Sequence, residues 1–108
     1  MEDIVMHEHD VVVIGAGGAG LRAAIEASAA GVSVAMICKS MLGKAHTVMA
    51  EGGAAAALAN KDHRDSWQTH FRDTMKGGKY LGDWRMAQIH AQQAPVRIRE
   101  LEQWGAVF

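Results

Sequence analysis

The chain has 108 residues, 49% of them apolar and 21% charged, the balance of a globular protein rather than a disordered segment. Eleven Lys and Arg against twelve Asp and Glu leave a net charge of −1, so no basic surplus points to nucleic acid or an anionic membrane surface. A single cysteine excludes a disulfide framework and fits a reducing compartment, and the longest uncharged run, residues 27–38, is too short to span a bilayer. Residues 1–9 read as a polar leader holding His7 and His9. Its start, Met1-Glu2-Asp3, lacks the basic stretch of a secretory signal, so none is expected.

Asp10-Val11-Val12-Val13-Ile14 is β-branched with no polar alternation, which predicts a strand buried on both faces, as in a parallel sheet. Gly15-Ala16-Gly17-Gly18-Ala19-Gly20 follows at once. Residues 21–30 are alanine-rich, with Arg22 and Glu26 four apart, and read as a helix that Gly31 ends. Residues 32–37 are a second apolar strand. The expected fold class is therefore α/β, a Rossmann-like βαβ start over residues 10–38 followed by helices.

Residues 39–53 lack periodicity and read as a loop, and residues 54–108 as mainly helical. The alanine run 54–59 suggests a short helix. Asp65 or Ser66 can cap a helix carrying Trp67, Phe71 and Met75, closed by Gly77 and Gly78. Asp83 can cap another to about Gln93. Pro95 is then placed to open a third, with Ile98, Leu101 and Trp104 on its inner side. The chain stops at Ala106-Val107-Phe108 in apolar material, which reads as a cut, leaving a sheet incomplete without further strands and a piece inactive by itself.

The glycine run carries the first chemistry. G-x-G-x-x-G alone is a weak signal, but here it lies between a strand and a helix, where the mechanism needs it. Gly15 permits a tight turn, Gly17 close approach of a pyrophosphate, and Gly20 close packing of helix on strand, while the helix N-terminus faces the phosphates. An acidic residue for the ribose hydroxyl is absent, since the second strand ends in Cys38-Lys39-Ser40. FAD, NAD and NADP all stay open at this point.

Ala45-His46-Thr47-Val48-Met49-Ala50-Glu51-Gly52-Gly53 then resembles the histidyl-flavin segment of succinate dehydrogenase and fumarate reductase flavoprotein subunits. In that family a small residue precedes His-Thr-Val, two residues, Glu or Gln, and Gly-Gly. The stretches His70-Phe71-Arg72-Asp73-Thr74-Met75-Lys76-Gly77-Gly78 and Leu101-Glu102-Gln103-Trp104-Gly105 resemble two further family motifs. The resemblance covers nearly everything from His9 onward and implies the N-terminal part of a much longer FAD-binding domain.

It implies that FAD is held covalently through its 8α-carbon by His46. An imidazole there withdraws electron density and makes the flavin a stronger oxidant, which oxidation of an unactivated C–C bond demands. It further implies cofactor contacts at Gly15, Ala16, Gly17, Gly18, Ala19, Gly20, Cys38, Lys39, Ser40, Lys44, Ala45, Thr47, Glu51, Gly52 and Gly53. Cys38 stands where the family often has serine. A thiol is a poor donor, so a backbone contact is expected there. The implied reaction interconverts succinate and fumarate. Its electrons pass through an iron–sulfur subunit to or from quinone in a membrane anchor, on the cytoplasmic side of the cell membrane or, in a eukaryote, at the mitochondrial inner membrane. In the family the acid/base and dicarboxylate ligands come later in sequence, so no catalytic residue is assigned here. The alternatives are another FAD oxidoreductase, such as a soluble fumarate reductase or L-aspartate oxidase-like enzyme, or a module that only holds FAD.

His7-Glu8-His9 is weak as a metal site and reads as a solvated leader. His63 and His70 are placed to share a helix face, without a cysteine or carboxylate to complete a ligand set. Trp67, Phe71 and Met75 read as core, and Cys38 has no activating partner.

Overall fold

A computed structural model describes residues 4–108. The chain divides into two compact units, the first ending at Glu51 and the second beginning at Gly52.

In the first unit, β1 (Val11–Ile14) and β2 (Val34–Ile37) form a parallel pair with Val11 opposite Val34 and Ile14 opposite Ile37. Between them runs α1 (Gly18–Ala29), which packs on both strands. Asp10 and Ser33 tie the N-terminal ends of the strands together. Asp10 N–H donates to Ser33 Oγ at 3.0 Å, and Ser33 N–H and Oγ–H donate to Asp10 Oδ2, both at 2.8 Å. Those two bonds, the backbone one foremost, hold the Asp10 carboxyl below its ordinary pKa of 3.8. At the other end, Gly15 N–H donates to the Ile37 carbonyl at 2.9 Å and carries the ladder one residue past β1.

Three details differ from the sequence reading. Helix α1 begins at Gly18 instead of residue 21, so half of the glycine run is helical. Strand β2 begins at Val34, two residues late; Ser33 before it gives its N–H to the Asp10 carboxylate and its carbonyl to the Val11 N–H. The strands are covered on one face only: Val11 and Val13 are half-buried, whereas Val12 is 52% and Ile14 83% exposed. A single helix cannot cover both sides of a sheet. Gly31 follows α1 with φ +83°, the left-handed stop that the sequence predicts.

In the second unit, α2 (Trp67–Gly77) packs on α3 (Trp84–Gln103). Ser66 Oγ accepts the Thr69 N–H at 3.3 Å and so caps α2, while Asp83 Oδ1 caps α3 by accepting from Arg85 N–H at 2.8 Å and Met86 N–H at 3.3 Å. Trp67, Phe71 and Met75 lie half-buried on one side of α2. Ala91 and Ala94 of α3 are buried, Ala91 completely.

The expected helix over 54–59 is absent: these residues are irregular, and Ala59 adopts φ +53°. Six residues behind two glycines offer too few hydrogen bonds to offset nucleation. Nor does Pro95 open a new helix; it lies inside α3, which runs unbroken from Trp84 to Gln103. Proline at such a position costs about 3 kcal/mol through the missing N–H and the clash with the carbonyl four residues back. The turn before it carries Ala91 and Ala94, the two buried residues of the helix. Leu101 and Trp104, expected inside, are 40% and 52% exposed. His63 precedes α2 and so shares no helix face with His70, whose ring instead meets that of His90 edge-on at 5.4 Å.

Candidate functional site

The site grows from the end of β1. Gly15 takes φ +106°, which a side chain would strain, and turns the chain toward α1. A Cβ on Gly20 would overlap the Gly15 carbonyl oxygen and come 3.4 Å from Val13 Cγ1. Glycine at position 20 therefore lets the first turn of α1 lie directly on the turn and on β1. Ala16, 8% exposed, is the buried residue of this corner.

Helix α1 starts without a side-chain cap, because its N-cap residue is Gly17. The Gly18 N–H is satisfied from elsewhere, by Thr47 Oγ1 at 2.9 Å. The first intrahelical bond runs from Leu21 N–H to the Gly17 carbonyl. The Ala19 and Gly20 N–H groups, in the first turn at the positive end of the helix, have no protein acceptor among the described residues.

Beyond β2 the chain folds back toward the glycine turn. Lys44 N–H donates to the Met41 carbonyl at 3.2 Å around Gly43, whose φ is +79°. A 3-10 turn covers His46–Met49, with Val48 N–H bonded to the Ala45 carbonyl at 3.1 Å. The result is a cavity of about 320 Å³ lined by Gly15, Ala16 and Gly17, by Cys38, Lys39, Ser40 and Met41, and by Lys44, Ala45 and His46.

Nine of the sixteen residues singled out in the sequence thus line one cavity. Gly18 and Thr47 adjoin it through their mutual hydrogen bond, and Ala19 and Gly20 supply the helix N-terminus. Glu51 ends the first unit, and Gly52 and Gly53 open the second. Met41 is the lining residue that sequence reasoning missed; a methionine in an aperiodic loop gives no signal. His46 is exposed, and among the described residues no cluster of three metal-ligating side chains exists, His7 and His9 included.

The corner suits a dinucleotide. It brings together a glycine turn, a helix N-terminus with two amides that lack a protein acceptor, and the cations Lys39 and Lys44 in the cavity lining. The cavity volume lies at the lower end of the range of small-molecule pockets.

Comparison with known proteins gives that corner a family. The pattern of the FAD binding domain matches residues 10–108, and the chain belongs to that family. Within it, the chain is similar to flavoprotein subunits of succinate dehydrogenase and to fumarate reductase. It is 49% identical over 105 residues to a mitochondrial succinate dehydrogenase (ubiquinone) flavoprotein subunit of Xenopus laevis, covering 97% of this chain and 16% of that protein. It is 46% identical over 104 residues to a subunit of the fumarate reductase (CoM/CoB) of Methanothermobacter marburgensis, covering 95% and 19%. The Sdh1 complex of Mycobacterium smegmatis in its apo form contains a chain that superposes with a TM-score of 0.89 at 66% identity, over 94% of this chain and 17% of that one. The chain thus spans about a sixth of the length of the curated relatives it matches.

Proposed function

We propose that the chain is the cofactor-holding segment of a succinate dehydrogenase or fumarate reductase flavoprotein subunit, and that it carries FAD covalently at His46. The observation that supports this best is the shared cavity: the glycine turn, the Cys38-Lys39-Ser40 strand end and the loop bearing Lys44 and His46 line one space. The chain carries them within a stretch that is close in sequence to relatives named for these two activities. When bound, FAD supplies the two-electron acceptor or donor for interconverting succinate and fumarate. The chain's own residues bind and orient it. Ala19 and Gly20 N–H groups meet the pyrophosphate, Lys39 and Lys44 offset its charge, and His46, on the rim, reaches the 8α-carbon. Glu51, Gly52 and Gly53 approach the ring system in this reading.

The partners that go with this role are a quinone-reactive membrane anchor and an iron–sulfur subunit, which place the protein peripherally on the cytoplasmic side of the cell membrane. No helix among the described residues is long and apolar enough to cross a membrane. Flavin fluorescence on the denatured polypeptide tests the assignment. The native protein shows a fluorescent band, His46→Ser retains FAD when folded and releases it on denaturation, and a dark band from mature native protein would sink the covalent assignment.

A further inference from the structure

We propose that Thr47 is a positioning residue: its side chain docks the loop carrying His46 on the glycine turn, and so holds Lys44 and His46 at the cavity. The first support is chemical. Helix α1 begins at a glycine N-cap with no side chain to offer, and the Thr47 hydroxyl, 29 positions further along the chain, accepts the orphaned Gly18 N–H at 2.9 Å. A threonine normally caps its own helix. Here one from a different segment does so, and the cap becomes a clasp between two segments.

The second support is steric. A Cβ on Gly18 would come 3.2 Å from Thr47 Cγ2, and one on Gly17 would come 3.4 Å from Thr47 Oγ1 and 3.9 Å from the Ala45 Cβ. The two middle glycines of the run therefore do more than open space for a phosphate. Their bare backbone is the seat on which the Thr47 methyl and hydroxyl rest. A β-branched side chain fixed by both its branches has one χ1 rotamer available, so the backbone at Thr47 and its neighbour His46 is fixed with it.

The third support is what else holds the loop. Its backbone bonds are internal: Lys44 to Met41, Val48 to Ala45, and Ala50 to Thr47 at 3.3 Å. These shape the loop without attaching it to the βαβ unit. Thr47 makes the attachment, and it leaves the Ala19 and Gly20 amides to the pyrophosphate.

The inference about loop docking stands on the contacts of Thr47 with the glycine turn; its consequence for the cofactor rests on the FAD reading above. Two measurements on the native full-length polypeptide keep them apart. The first is hydrogen exchange of cofactor-free protein. Thr47→Val, which keeps the shape and removes the acceptor, should raise exchange of the 45–50 peptide and of Gly18 about tenfold, as loss of one satisfied donor implies. Thr47→Ser, which keeps the hydroxyl, should stay within about twofold of wild type. Unchanged exchange in Thr47→Val overturns the proposal whether or not FAD binds.

The second measurement is an equilibrium titration with FAD in the His46→Ser background, where no covalent bond intervenes. Adding Thr47→Val should weaken binding about tenfold, and Thr47→Ser should restore it. Raised exchange with undiminished FAD affinity overturns the positioning role and leaves Thr47 a helix cap alone. No FAD binding by His46→Ser itself, with exchange behaving as expected, counts against the FAD reading and leaves the docking intact.

Discussion

Gly20 is the residue on which the site depends most heavily. Any side chain there meets the Gly15 carbonyl oxygen, which the strand-to-helix turn holds in place. Overpacking costs about 1–3 kcal/mol where neighbours can move, and more against fixed backbone. In the His46→Ser background, where no covalent bond intervenes, Gly20→Ala should therefore reduce FAD affinity at least tenfold, read by equilibrium titration, whereas undiminished affinity would show that the turn does not form the binding corner. Gly17→Val acts differently from the simple motif reading. Its branches would meet Thr47 as well as an approaching phosphate, so it should loosen the 45–50 loop even without cofactor, as hydrogen exchange reports. The motif residues were legible in the sequence because their chemistry is local: glycines between a strand and a helix. Met41 and the Gly18–Thr47 bond were not, because they arise from the return of the chain after β2, which no periodicity encodes.

At the scale of elements, β1, α1 and β2 were legible because apolar strands and an alanine-rich helix each state their own period. Two elements misled. The 54–59 run has the composition of a helix without the length or the cap. Pro95 carries the signal of a helix start, but it lies inside α3, one residue past the buried Ala94. The caps, by contrast, were readable, and they make a direct prediction. Asp83→Ala leaves two N–H groups of α3 without their acceptor and should cost about 1 kcal/mol, measured as a lowered midpoint of thermal unfolding of the full-length polypeptide, while Asp83→Asn should keep most of it. The Asp10–Ser33 clasp predicts a pH dependence. Because the folded state holds the Asp10 carboxyl below its ordinary value of 3.8, the clasp's contribution is fully present above that value and is lost as pH falls through the lower, folded one. Urea midpoints of the full-length polypeptide, measured from about pH 6 down to about pH 3, should drop more steeply for wild type than for Asp10→Asn. Parallel curves would remove Asp10 from the acid response.

At the scale of the whole molecule, the buried apolar residues are Ala16, Ala91 and Ala94, and no side chain among the described residues is fully buried and larger than alanine. Val12, Ile14 and Ile37 lie in a parallel sheet yet are more than half exposed. Two parallel strands under one helix fall short of what a stable sheet needs. Residues 1–108 expressed by themselves should therefore show no cooperative thermal transition, with or without added FAD, and should bind dyes for exposed apolar surface. A soluble monomer that unfolds cooperatively with FAD bound would make these residues an autonomous domain.

The central claim, that one corner of the fold seats FAD and presents His46 to it, is tested most directly on the native polypeptide digested with trypsin. Cleavage after Lys44 and Lys61 releases a peptide of residues 45–61 that contains His46 as its one histidine. The account predicts that this peptide carries the mass of one FAD less two hydrogens, with fragmentation placing it on His46. An unmodified 45–61 peptide from mature protein, with its FAD recovered free, would contradict it.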